Sequence, residues 1–338
     1  MNKQILLVNL GSPKSLSKSD VREYLKEFLS DDYVMDLPKI LQQFILRAFI
    51  LPFRPSKTKE AYEKIWEKEG SPLIINTQKI ATSLSEKTGW KVDIAMRYQE
   101  PSIREKVKKY KQRKINEVIV IPLYPHHAMS TTKTTNIEID KIVSEEYPGL
   151  KVRYIEPFYN DPRYIDALSH SIKPYLNDLD KLIFSYHGIP ERHLTKGDVV
   201  GDHCMKVDNC CDINCKSSQS CYRSNVLATS KLTADQLELA DNQWMVSFQS
   251  RVSIMGPAWL KPYTDIEIDK LGENGMEKIG VVCPSFIADC LETLEEIEMQ
   301  AKESFIESGG KELVYIPCLN NNPEFINALE SIIEDAVV

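Results

Sequence analysis

Ile5-Leu6-Leu7-Val8-Asn9-Leu10-Gly11-Ser12-Pro13 and Leu182-Ile183-Phe184-Ser185-Tyr186-His187-Gly188-Ile189-Pro190 decide the fold, because they are two copies of one pattern. Each is a short apolar run that ends in Gly-x-Pro. Two further pairs recur in the same order. Trp90–Arg97 (WKVDIAMR) parallels Trp244–Arg251 (WMVSFQSR), with Trp and Arg at the same spacing, and Val118–Tyr124 (VIVIPLY) parallels Gly280–Phe286 (GVVCPSF). Self-similarity in a fixed order marks a duplicated domain. The runs are β-branched and continuously apolar, as strands buried on both faces of a parallel sheet are. Helical stretches lie between them, such as Asp20–Leu29, Ile103–Arg113 and Asp289–Ser308. Strand–helix alternation predicts an open α/β sheet in each half.

The length agrees. A chain of 338 residues exceeds the roughly 100–200 residues that one domain usually takes. Two similar Rossmann-like lobes are therefore expected, residues 1–157 and 158–338, with parallel sheets and a cleft between them. Ligands of such sheets sit beyond the carboxyl ends of the strands. The segments that should converge are Asn9–Pro13, Arg97-Tyr98, Tyr124–Ser130, His187–Pro190, Arg251–Trp259 and Phe286–Glu292.

Composition excludes several classes. Hydrophobic residues make up 42% and charged residues 27%, an ordinary globular balance, and the net charge of −7 is not that of a nucleic-acid binder. The run Ile5–Val8 is too short for the core of a secretion signal. A cytoplasmic location is expected, so the eight cysteines are not read as a disulfide framework. Residues 37–53 (LPKILQQFILRAFILPF) are apolar but carry Lys39, Gln42, Gln43 and Arg47. The stretch is too short and too polar to span a bilayer. It reads either as a buried helix or as an exposed lip that rests on a bilayer or admits an apolar ligand.

Four groups of residues could carry chemistry. His187 ends a strand and precedes Gly188, which lets the backbone turn tightly; its imidazole can take a proton or hold a metal. Asp289, Glu292 and Glu296 stand at i, i+3 and i+7, on one face of an α-helix that leaves the strand Ile279–Cys283. A carboxylate ladder of that kind must share cations or protons, which suits a metal or proton path. Arg97, Tyr98, Tyr124 and Trp259 offer a cation and flat aromatic surfaces for a large planar, carboxylate-bearing ligand. Cys204, Cys210, Cys211, Cys215 and Cys221 fall in one polar window, HCMKVDNCCDINCKSSQSCYR, expected to be a loop. Thiols grouped in this way suggest zinc or an iron–sulfur cluster held by four of the five.

These stretches together resemble ferrochelatases over nearly the whole chain. The resemblance rests on LLVNLGSP (6–13), EGSPL (69–73), MRY (96–98), PLYPHHAMSTT (122–132), SYHGIPER (185–192), FQSR (248–251), WLKPYTD (259–265) and DCLETLEEI (289–297). It implies a duplicated chelatase-like fold and the insertion of Fe2+ into protoporphyrin IX, giving protoheme and two protons. His187 and Glu292 match the family's active-site histidine and glutamate, with Asp289 and Glu296 continuing the acidic helix. Leu10, Ser71, Arg97, Tyr98, Tyr124 and Trp259 match porphyrin-pocket positions. Residues 37–53 match the apolar lip, which in membrane-associated members touches the bilayer, so peripheral contact with the inner face of a membrane is implied. Leu10 stands where members acting on coproporphyrin carry an iron-ligating tyrosine, which places this chain nearer the protoporphyrin branch. Met129 stands where animal members carry a cluster cysteine. Some bacterial members instead hold a [2Fe–2S] cluster through an internal cysteine segment, which the insertion 204–221 is similar to.

His187 is expected to accept pyrrole protons or to hand over the metal, with Glu292, Asp289 and Glu296 carrying the other traffic. The alternative functions are a cobalt or sirohydrochlorin chelatase on the same fold, or a tetrapyrrole- or metal-binding protein without turnover.

Overall fold

The computed structural model describes residues 4–252 and 258–336. Every residue of β1 (Gln4–Asn9) is buried, which is why that stretch is apolar without alternation. β1 pairs in parallel with β2 (Lys91–Met96) on one side and β3 (Glu117–Pro122) on the other, and β3 pairs with β4 (Lys151–Tyr154). The second sheet is built likewise. β5 (Lys181–His187) lies between β6 (Trp244–Gln249) and β7 (Lys278–Val282), and β7 pairs with β8 (Glu312–Ile316). The strand orders, β2-β1-β3-β4 and β6-β5-β7-β8, are the same. The molecule thus has the duplicated α/β fold with parallel sheets that its repeats predict.

The register of the repeat differs from the sequence pairing. Met96 N donates to Pro101 O at 2.7 Å, and Phe248 N donates to Pro262 O at 2.8 Å. Met96 lies opposite Asn9, and Phe248 opposite Tyr186. Met96 therefore corresponds to Phe248, and the counterpart of Arg97 is Gln249, not Arg251. A shift of two residues leaves every side chain on its original face, because the strand period is two; the apolar pattern could not detect it. The third pair is displaced by one residue, since Ile119 and Gly280 occupy equivalent places beside Ile5 and Leu182. The first pair stands: Leu10 and His187 follow the corresponding residues Asn9 and Tyr186.

The first sheet is covered by helices whose boundaries the sequence encodes. Ser17 caps α1 (Lys18–Leu29) by accepting from Asp20 N. α2 (Lys39–Ile45) runs through a π-helical turn, Leu46–Ile50, into α3 (Leu51–Ile65). α4 (Pro72–Thr88) starts on a proline and ends at Gly89 with φ +69°. Ser102 caps α5 (Ile103–Gln112), whose Ile103, Val107 and Tyr110 pack on Leu6, Val8 and Val120 of the sheet. In the second half, Ile183, Ile279 and Val281 pack against Ile268, Ile297 and Phe305.

The chain divides into two compact units. Residues 4–124, 129–156 and 329–336 belong to the first, and 125–128 and 157–328 to the second. The expected single boundary at 157 differs in two places: the segment 125–128 goes with the second unit, and the chain's last turns go with the first.

Residues 37–53 are an exposed lip and not a buried helix. Ile40 is 88% exposed and Phe53 70%, with Leu41, Phe44 and Phe49 exposed beside them, while Gln42, Leu46 and Leu51 face inward. No helix among the described residues is long and apolar enough to cross a membrane.

Candidate active site

His187 is the last residue of β5, where the strand leaves its sheet. Its Nδ1 donates to Gly188 O at 2.6 Å. That bond fixes the tautomer of the neutral ring and leaves Nε2 as the lone-pair nitrogen. The backbone of His187 is held from behind, its carbonyl accepting from Tyr222 Oη at 2.9 Å. Gly188 is required by space: a Cβ there would lie 2.9 Å from Gln249 O and 3.4 Å from the Trp259 ring. Trp259 is placed against this turn by an antiparallel bridge to Pro190. The strand-end segments 187–190, 249–251 and 259 thus meet within the second unit; residues 253–257 of the expected segment Arg251–Trp259 lie outside the described residues.

The acidic segment does not form an α-helical ladder. Leu291–Thr293 is one α-helical turn, and Leu294–Ala301 winds as a π-helix, whose i→i+5 bonding widens the turn. Asp289 precedes both. Its carboxylate is saturated: Oδ1 accepts from Tyr315 Oη, Cys318 N and Thr293 Oγ1, and Oδ2 accepts from Asn320 Nδ2 at 2.6 Å. Asp289 therefore anchors the start of the helix to the loop after β8. Glu296 faces the other way. Its Oε1 accepts from Ser250 N at 2.6 Å and its Oε2 from Ser250 Oγ. Ser250 adopts φ +61°, a left-handed backbone rare outside glycine, and presents both donors to the one carboxylate. Burial raises the Glu296 pKa, against the opposing pull of Ser250 and the nearby His187; Glu292 adds to the rise. His187, Glu292 and Glu296 are thus an electrostatic group.

Gln249 joins this group and escaped the sequence reading. It is buried, and its Nε2 donates to Glu292 O at 2.7 Å while its Oε1 accepts from Ser185 Oγ at 2.7 Å. It pins the acidic turn to the strand beside His187. The signal was its place in FQSR, two residues before the arginine that sequence pairing favoured.

In the first unit, Arg97 and Tyr98 continue the ladder past the end of β2, with Arg97 N donating to Asn9 O and Tyr98 N to Leu10 O. Leu10 and Arg97 are partly exposed, whereas Ser71, Tyr98 and Tyr124 are buried. Arg97 is not a free cation. Its Nη2 donates to Asp31 Oδ2 at 2.6 Å, and its Nε and Nη2 both donate to Thr134 Oγ1. Tyr98 Oη donates to the same Asp31 oxygen at 2.9 Å. Sequence reasoning missed Asp31, whose Oδ2 partners lie 66 to 103 positions away.

The cysteine window is not a plain loop. It contains a 3₁₀ turn, Cys210–Asp212, and a single helical turn, Lys216–Gln219. Asp198 gathers the window by accepting from His203 N, Cys204 N and Ser217 Oγ. Cys204, Cys210 and Cys221 are buried and Cys211 partly so. The Cys204 and Cys211 thiols are each pushed up to about 12, first by burial and then by the neighbouring Cys221, with Cys210 contributing to both. Cys215 acts as a helix cap, its thiol accepting from Ser218 N. Among the described residues, no three His, Cys, Asp or Glu side chains are arranged as a ready metal cage.

Comparison with known proteins identifies the family. The ferrochelatase family profile matches residues 2–337. The ferrochelatase of Pseudomonas fluorescens (strain Pf0-1) is 44% identical over 336 residues, covering 98% of this chain and 97% of that protein. That of Opitutus terrae is 43% identical over 334 residues, covering 97% and 96%. Among solved structures, SirB from Bacillus subtilis with Fe3+ matches with a TM-score of 0.54 at 12% identity, covering 99% of this chain and 96% of that one. A Deinococcus radiodurans protein described as structurally similar to chelatases matches with a TM-score of 0.51 at 12% identity, covering 98% of this chain and 55% of that one. These two likenesses are of fold.

Proposed function

This chain belongs to the ferrochelatase family, and from that premise we propose that His187 accepts the pyrrole protons and that Glu296 receives them. The reaction inserts Fe2+ into protoporphyrin, giving protoheme and two protons. Two N–H bonds must break as the iron binds the four pyrrole nitrogens, so a proton acceptor must face the macrocycle. The observation that carries the assignment is the His187 Nδ1 bond to Gly188 O, which ties up Nδ1 and leaves Nε2 as the ring nitrogen that can exchange a proton. Burial raises the Glu296 pKa above the ordinary glutamate value, which favours its taking up a proton. Glu292, which acts electrostatically on Glu296, is the carboxylate assigned to the metal. Asp289, saturated by four donors, supports the turn and carries no traffic. Leu10 and Arg97, partly exposed, and Ser71, Tyr98 and Tyr124, buried, are assigned to porphyrin binding together with Trp259. The sirohydrochlorin and non-catalytic readings are not favoured.

His187→Ala tests this. Metal insertion should fall to background while the unfolding midpoint and porphyrin binding hold; retained turnover rejects the assignment.

Two further assignments belong to this reading. Cys204, Cys210, Cys211 and Cys221 are the thiols that would hold a [2Fe–2S] cluster, supported by their burial and mutual influence. Such a cluster supplies a one-electron redox centre, and binding would draw the protons from these thiols. Replacing Cys210 and Cys211 with serine should abolish visible iron–sulfur absorption, and Cys215→Ser should leave it intact. The lip 37–53 is assigned to peripheral contact with the cytoplasmic face of a membrane, supported by its exposed Ile40, Phe44, Phe49 and Phe53. Its aspartate variants should lose binding to phospholipid vesicles.

A further inference from the structure

Asp31 follows α1 and opens the loop that leads into the lip. Its side chain is 5% exposed and faces Arg97, itself 12% exposed. One carboxylate oxygen, Oδ2, takes three donors: Arg97 Nη2 at 2.6 Å, Tyr98 Oη at 2.9 Å and Thr134 Oγ1 at 2.5 Å. The other, Oδ1, accepts from Tyr33 N at 2.7 Å. Arg97 lies over the Tyr98 ring at 4.5 Å, and Phe28 of α1 meets the same ring edge-on at 5.2 Å. The guanidinium is thus neutralised within the protein, and its orientation is set by Asp31 and Thr134.

The backbone of Asp31 is tied to the lip. Its carbonyl accepts from Val34 N, Met35 N and Gln42 Nε2. Gln42 is the fully buried residue of α2, and the same amide also reaches Asp32 Oδ1 and Met35 O. A polar side chain with no exposure, on a helix whose other face is apolar and open, holds the helix down. The chain of contacts runs from α2 through Gln42 to Asp31, and through the Asp31 carboxylate to Arg97, Tyr98 and Thr134.

We propose that Asp31 is a positioning residue that locks the lip to the porphyrin-facing end of β2 and thereby sets porphyrin affinity. It touches neither iron nor porphyrin, and acts through Gln42 on one side and Arg97 and Tyr98 on the other. The proposal rests on the reading of Arg97 as a porphyrin contact. It separates the role of Arg97 from that of a free cation seeking a substrate carboxylate: Arg97 shapes the pocket wall, and its charge is already spent on Asp31.

The test uses the full chain with protoporphyrin and ferrous iron. Asp31→Asn keeps the shape and removes the charge. It should raise the porphyrin KM about tenfold, the factor for one lost charged hydrogen bond, with kcat within about twofold, since the reacting groups are untouched. Limited trypsin digestion should cut faster at Lys39 or Arg47. Gln42→Leu breaks the lip end of the link and spares the ion pair. It should move KM and lip cleavage in the same direction, and it decides the matter if the Asp31 variant does not fold. An unchanged or lower KM in the folded variant overturns the proposal, as does a fall in kcat alone. Faster lip cleavage with unchanged KM also overturns it, because the link would then exist without governing the substrate; that result leaves the His187 test standing.

Discussion

The side-chain amide of Gln249 donates to the backbone carbonyl of Glu292 at 2.7 Å, across from the strand that ends in His187. One buried residue on β6 thereby fixes where the acidic turn begins. Gln249 occupies the place that Arg97 holds in the first sheet, so the two lobes use equivalent positions differently: a charge balanced by Asp31 in one, a neutral amide bridge in the other.

Gln249→Leu removes the bridge and leaves the Glu292 carbonyl without this donor. Loss of a buried partner costs about 1–3 kcal/mol. Urea unfolding should show that loss, and kcat should fall about tenfold or more from misplacement of Glu292. A variant with unaltered kcat would show that the bridge does not position the glutamate.

Glu296→Gln should change how stability depends on pH. Burial raises the pKa of Glu296 above the ordinary glutamate value of 4.5, so the folded protein holds this proton more tightly than the unfolded chain does. The stabilisation is complete below the unfolded pKa and is lost as pH rises through the folded one. The glutamine variant lacks this loss. Its unfolding midpoint should gain on that of the wild type as pH is raised from about 4 towards 8, and a difference that is constant across this range would contradict the buried-carboxyl reading.

Asp31→Leu should destabilise more than the double variant that pairs it with Arg97→Met. The single variant strands a buried guanidinium, which costs about 3–5 kcal/mol, whereas removing both charges is often far milder. Chemical denaturation of the two single variants and the double variant measures the coupling. Additive effects would mean that the pair is not coupled in solution.

Gly11→Ala should be worse tolerated than Gly188→Ala. At Gly11, φ is +107° and a Cβ would sit 2.0 Å from the Tyr98 carbonyl oxygen; at Gly188 the nearest atom, Gln249 O, is 2.9 Å away. Overpacking costs about 1–3 kcal/mol, and the left-handed backbone adds to the first case only. Thermal unfolding ranks the two. The Gly188 variant should also lose activity, since its turn carries His187.

The sequence by itself determined the doubled sheet. Strands buried on both faces must be continuously apolar, so β1, β3, β5 and β7 announced themselves, and the order of their repeats gave the duplication. It also marked His187, because the strand end and the following glycine are local features. The acidic segment was legible as residues but not as geometry: the 3.6-residue period assumed for Asp289, Glu292 and Glu296 does not hold where the helix winds more widely, and Asp289 turns away to Tyr315 and Asn320. Only the tertiary structure decided the pairing of Arg97 with Gln249, because a two-residue slip preserves the pleat. Only it found Asp31, whose carboxylate partners Arg97, Tyr98 and Thr134 are distant in the chain, and Gln42, which folds back on the loop before it. Local pattern records which face of an element is buried; which charge meets which is settled only when the elements pack, and that is where this protein holds its lip and orients its acids.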